Sequence, residues 1–161
     1  MRNNTWSLIR EELRWSFNEK YTVWEYENDL CIRMSKYHSS NDRLSEQTEY
    51  TYDRYGNCIL EVSINPVTGK TAETTEYLYD QQQRCTREND YDKKGNLKQY
   101  QEYVYDDTAR TKTRTRHYAD GTVDEFSDVY TYDEYGNGIL RERYRNGELD
   151  WRISQTFEPI P

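Results

Sequence analysis

The feature that most constrains this chain is a period. The segments "WEYE" (24–27), "YTYD" (50–53), "YLYD" (77–80), "YVYD" (103–106), "YTYD" (130–133) and "QTFE" (155–158) start 26, 27, 26, 27 and 25 residues apart. A fixed spacing of this size is the mark of a repeat architecture and overrides local propensity in choosing a fold. Each copy alternates a large aromatic with a smaller or polar residue and ends in an acid, the period of a β-strand that carries its rings on one face.

A turn follows each copy. "RYGN" after Asp53, "KKGN" after Asp92 and "EYGN" after Asp133 suit a three-residue hairpin loop, with Gly56, Gly95 and Gly136 taking the left-handed conformation and the Asp side chain accepting from the turn backbone. A second set lies between them: "SSND" near 40, "NPVTGK" at 65–70, "ADG" at 119–121 and "RNG" at 145–147. Turns therefore recur about every 13 residues, which leaves room for strands of roughly eight to ten residues and makes each repeat one hairpin. The expected fold is all-β, an antiparallel meander of about twelve strands forming a single β-repeat domain over residues 1–161, either an open curled sheet or a loosely closed barrel. At the N-terminus Trp6, Ile9, Leu13 and Phe17 also fit a helical stripe, but residues 5–27 lie without a gap over 31–53, which favours strands with a short helix as the alternative.

Composition then decides what such a sheet can be packed with. Only 34% of the 161 residues are apolar and 32% are charged, proportions that suggest disorder unless aromatics are abundant. Seventeen Tyr, four Trp and three Phe meet that condition, so an ordered protein with a thin or partly wet core is expected. Pairing Tyr52 with Cys58 across the first three-residue loop predicts a face of Tyr50, Tyr52, Cys58, Leu60, Val62 and Ile64, continued at the C-terminal end by Leu149, Trp151, Ile153 and Phe157, with Thr, Glu, Lys and Arg opposite. Tyr26 is expected to meet Cys31 across an Asn28–Asp29 loop. Cys31, Cys58 and Cys85 are spaced 27 residues apart. Alternate strands lie about 9.6 Å apart, so these read as small buried, reduced thiols at one repeat position on the tyrosine face and not as a disulfide pair.

The quoted turns "YTYDRYGN", "YDKKGN" and "YTYDEYGN" resemble the YD repeats of the rearrangement-hotspot and teneurin family, in which many repeats build a large β-shell around a cargo. The resemblance covers most of the chain and is degenerate at "YDQQQRC" and "YDDTART", where Gln83 and Ala109 stand for glycine. It implies β-hairpin repeats. A chain of this length is too short to enclose a protein, so encapsulation does not carry over. "YADGTVDEF" and "YRNGELDW" resemble the Tyr-x-x-Gly repeats of MORN-like proteins, a group that includes antitoxin-like members.

No catalytic constellation emerges. Thirty acids make carboxylate pairs trivially available, and Asp53, Asp80, Asp106 and Asp133 stand where turn capping explains them. "DYDKKGN" imitates the start of a calcium loop but lacks the bidentate acid. His38 and His117 have no local nucleophile or orienting acid, and no cofactor is expected. The net charge of −8 argues against a nucleic-acid binder, and no apolar run is long enough to span a membrane, so the chain is expected to be soluble and cytoplasmic.

The reading that remains is non-enzymatic recognition of a protein. Family context suggests an immunity or antitoxin-like protein of a bacterial toxin system, its acidic surface meeting a basic toxin; the alternative is a shell-type module binding glycan. The candidate binding residues are the rings Trp24, Tyr26, Tyr50, Tyr52, Tyr77, Tyr79, Tyr103, Tyr105, Tyr130, Tyr132 and Trp151 together with the basic run Lys112, Arg114 and Arg116 in "RTKTRTRH". That run is read either as cross-strand pairing with Glu102, Glu125 or nearby acids, or as a site for an anionic ligand or acidic partner.

Overall fold

A computed structural model describes residues 6–13, 20–133 and 136–156. Twelve strands follow one another: β1 (Trp6–Leu13), β2 (Lys20–Glu27), β3 (Leu30–His38), β4 (Arg43–Tyr52), β5 (Cys58–Ile64), β6 (Thr71–Tyr79), β7 (Cys85–Asp92), β8 (Leu97–Asp106), β9 (Thr111–Tyr118), β10 (Val123–Tyr132), β11 (Gly138–Arg145) and β12 (Glu148–Ser154). Their order in the sheet is their order in the chain, and the sheet does not close. The open meander is therefore the correct alternative, and the barrel is not. The N-terminal segment is a strand, with Ile9 opposite Trp24; Phe17 and Phe157 lie outside the described residues.

The turns take the chemistry their residues offer. Asp53 Oδ1 accepts from the Tyr55 and Asn57 amides (2.8 and 3.0 Å), while Asn57 Nδ2 donates to the other oxygen (3.0 Å). Asp92 with Asn96 repeats this arrangement, which explains why the turns end in Asn as well as containing Gly. Hydrogen bonding to Asn57 and to Asn96 holds both carboxyls below the usual range. Asn28 and Asp29 both have positive φ (50° and 65°), the geometry of a two-residue loop whose twist matches the strands it joins.

Where glycine is missing, the backbone still turns left. Gln83 occupies the position of Gly56 with φ 63°. In "YDDTART" the positive φ falls on Arg110 (54°) and not on Ala109, because Asp106 pairs with Thr111 and the loop is one residue longer. A side chain in this conformation costs roughly 1–2 kcal/mol, against about 0.4–1 kcal/mol for the extra unfolded-state freedom of glycine. Gln83→Gly is thus expected to raise stability by about 0.5–1 kcal/mol in urea denaturation.

Bulges overturn the expected faces. Tyr52 is opposite Cys58, but Thr51 is opposite Leu60, so Ile59 is an inserted residue and the alternation reverses beyond it. Tyr50 consequently shares its face with Glu61, and Tyr77 Oη donates to Glu61 (3.1 Å) on that side. Leu60, Val62 and Ile64 lie on the other face with Thr51, Glu49 and Gln47. A bulge before Tyr144 likewise puts Leu149 opposite Tyr144, away from Trp151 and Ile153.

The chain forms two compact units, Met1–Leu78 with Asp90–Leu97, and Tyr79–Asn89 with Lys98–Pro161. Neither has an apolar interior: among the described residues no hydrophobic side chain is buried, and the buried ones are Thr22, Ser35, Thr48, Asn89, Gln101 and Asp128. All six lie within strands. The candidate rings are half-buried, except Tyr132, which is exposed.

The cysteines hold equivalent positions. Cys31, Cys58 and Cys85 are free, but half-buried and not buried as expected, because the sheet encloses no apolar core among the described residues; each Sγ donates to the carbonyl two residues on, at 3.4, 3.5 and 3.4 Å. Tyrosines brace the same spots: Tyr52 Oη donates to the Cys31 carbonyl (2.7 Å) and Tyr105 Oη to the Cys85 carbonyl (2.8 Å). Burial, with lesser contributions from Cys58 and Cys31, pushes the Tyr52 hydroxyl up to about 12. A group raised in the folded state stabilises fully below its ordinary value near 10 and ceases to do so as pH rises through the folded value. Stability to urea is expected to fall between about pH 10 and 12, followed by the ultraviolet absorbance of tyrosinate; loss complete below pH 10 would contradict it.

Candidate functional site: a cationic and aromatic sheet face

In the first unit the predicted rings share one face. Trp24 and Tyr26 stand opposite Met34 and Cys31, and Tyr50, Tyr52 and Tyr77 lie on the face of Glu61. The reverse face carries Arg33 held between Glu25 (3.1 Å) and Glu49 (3.1 Å), and Tyr21 stacked on Tyr37 at 5.2 Å. Tyr79, the last residue of β6, is half-buried. It belongs to the second unit.

The second unit gathers the rest. Register places Tyr103 opposite Arg114 and Tyr105 opposite Lys112 across β8 and β9, and then Lys112 opposite Asp128, Arg114 opposite Phe126 and Arg116 opposite Asp124 across β9 and β10. On β11 the same face continues through Arg141, Arg143 and Arg145, opposite Tyr130, Asp128 and Phe126. Trp151 stands opposite Arg143 on β12. Strands β9 to β11 thus put Lys112, Arg114, Arg116, Arg141, Arg143 and Arg145 on one face against only Asp124 and Asp128, in a chain whose net charge is −8.

The two acids choose β11. Asp128 accepts from Arg143 Nε and Nη2 (2.9 and 3.0 Å) and from Arg141 Nη2 (3.3 Å), and Asp124 accepts from Arg145 Nη2 at 3.1 and 3.0 Å. The β9 row is left without a carboxylate among the described residues. Lys112 Nζ sits 4.5 Å from the Tyr103 ring centre and 5.5 Å from that of Tyr105, Arg114 lies 4.3 Å over Phe126, and Arg116 donates to Gln101 Oε1 (3.2 and 3.0 Å). Burial, then the neighbouring charge of Arg116, holds Arg114 below the usual guanidinium range.

Pairing of this row with Glu102 or Glu125 does not occur, because both acids stand opposite Thr115 and so face the other way. On that reverse face Glu102 pairs with Arg87 (3.0 Å) and approaches His117 Nε2 (3.5 Å), while His117 stacks on Tyr100 at 4.3 Å. Sequence reasoning missed Arg141, Arg143 and Arg145. Their alternation in "RERYR" was the available signal.

At one end of the cationic face, Tyr105, Arg110, Lys112, Tyr130 and Tyr132 line an open groove of about 620 Å³ with Asp106, Asp107 and Asp133. The acids are engaged: Asp106 caps Thr108 and Ala109, Asp107 holds Arg84 (2.9 Å), and Asp133 binds Asn137 (2.8 Å). Arg110 lies 5.2 Å over the Tyr132 ring. Among the described residues no group of three or more His, Cys, Asp or Glu is placed to hold a metal ion, and no helix is long and apolar enough to cross a membrane. No protein-family model matches the chain, and no curated protein does.

Proposed function

We propose that this chain is a non-enzymatic protein-recognition module. One observation supports it above the others: rings and cations are set side by side on a solvent-facing sheet of the second unit instead of being enclosed in a core. Tyr, Trp and Arg are the residue types that dominate protein interfaces, since they offer large rigid area with a polar end. The narrower reading is an immunity or antitoxin-like protein acting on a bacterial toxin in the cytoplasm. Its support is the resemblance of the YD and Tyr-x-x-Gly turns, together with three free thiols that suit a reducing compartment.

The test is capture of the product encoded beside this gene by the purified full-length chain, followed by assay of that product's toxicity. A one-to-one complex that suppresses toxicity supports the reading. Binding to a glycan array with no protein captured would replace it with the glycan reading.

A further inference from the structure

We propose that the β9 row of the second unit docks an extended acidic segment of the partner protein, with carboxylates at alternate positions seated on Lys112, Arg114 and Arg116; this rests on the recognition reading above. The argument begins from charge. Asp124 and Asp128 stand directly opposite Arg116 and Lys112, yet their oxygens bond the arginines of β11, so the β9 cations form no ion pair among the described residues, and the charge of Asp128 reaches Arg114 only at longer range. Half-buried cations beside one another repel, and the depressed pKa of Arg114 carries the mark of both burial and Arg116. An incoming carboxylate relieves that repulsion and is reinforced by the rings already beneath the cations.

Spacing selects the occupant. Alternate residues of a strand are about 6.7 Å apart, so Lys112, Arg114 and Arg116 form a ladder that matches acids at every second residue of an extended peptide. A helical segment, repeating its face every three to four residues, does not match. Nucleic acid is the less favoured occupant, because its phosphates continue along the whole strand and would run from the ladder onto the rest of a chain of net charge −8, whereas three carboxylates can stay on the ladder.

The experiment uses the full chain and two fluorescein-labelled isomeric peptides, (Thr-Glu)₄ and Thr₄-Glu₄, with an octauridylate of the same length as a third probe, read by anisotropy at physiological salt. The alternating peptide is expected to bind at least about fivefold tighter than its isomer, and Lys112→Met with Arg114→Met to weaken it by about tenfold or more, while Arg152→Gln on the reverse face leaves it unchanged. Equal binding of the two isomers by the wild-type chain overturns the proposal without reliance on any variant. So does octauridylate binding more tightly than either peptide with the same dependence on Lys112 and Arg114. A toxin captured equally by wild type and by the double variant sinks this docking mode while leaving the recognition reading intact.

Discussion

Replacing Asp128 with alanine is expected to cost about 2–3 kcal/mol of unfolding free energy, the largest loss from any single charged side chain here. Asp128 is 6% exposed and its two oxygens serve both Arg143 and Arg141. Removing one member of a buried ion pair typically costs about 3–5 kcal/mol because the remaining charge is stranded, and the figure is discounted because Arg141 is 41% exposed. Arg141 also has its Nε buried without a hydrogen-bond partner, so Asp128 is the carboxylate that satisfies it. Asp128→Asn keeps one acceptor and should lose about half as much. Urea denaturation of both variants checks the order, and an alanine variant within about 0.5 kcal/mol of wild type would remove Asp128 as the pin of this face.

Tyr103 carries the second large expectation. Its hydroxyl donates to Glu88 Oε2 (3.0 Å), its ring supports the Lys112 ammonium, and burial followed by the charge of Glu88 pushes its pKa upward. Tyr103→Ala should cost about 2–3 kcal/mol, less than the 3–5 kcal/mol of an aromatic truncated in a closed core, since the ring is only half-buried. Tyr103→Phe should cost about 1 kcal/mol, the hydroxyl's share alone. A double-mutant cycle with Lys112→Met separates the ring–ammonium contact, expected at about 0.5–1 kcal/mol; a coupling of zero would show that Lys112 is placed by something else.

Turn residues and aromatic alternation were enough to read the strand count, the meander and the Asp caps, because hairpin chemistry is local. Cys31, Cys58 and Cys85 were placed correctly relative to one another for the same reason. What failed was parity. One inserted residue, Ile59, moves Leu60, Val62 and Ile64 to the far side of the sheet, and nothing in the composition of "CILEVSI" announces which residue a bulge will skip. The basic run of β9 was visible, but its isolation was not: that depends on Asp124 and Asp128 turning to arginines one strand further on, a choice made between side chains roughly twenty residues apart in sequence or fewer. Arg110 was missed because loop length, not residue type, decides where the left-handed residue falls.

The polar character of the buried positions has a calorimetric consequence. Exposing apolar surface is what makes the heat capacity of an unfolding chain rise, and exposing polar surface lowers it. A protein whose buried side chains, among the described residues, are Thr22, Ser35, Thr48, Asn89, Gln101 and Asp128 has little of the first to offer and some of the second. Its heat-capacity increment per residue should therefore sit below the usual 12–15 cal/mol/K or so, which flattens the curve of stability against temperature. Such a sheet melts over a broad range when warmed and gives up little stability when chilled, so its cohesion is nearly the same in a cold cell as in a warm one.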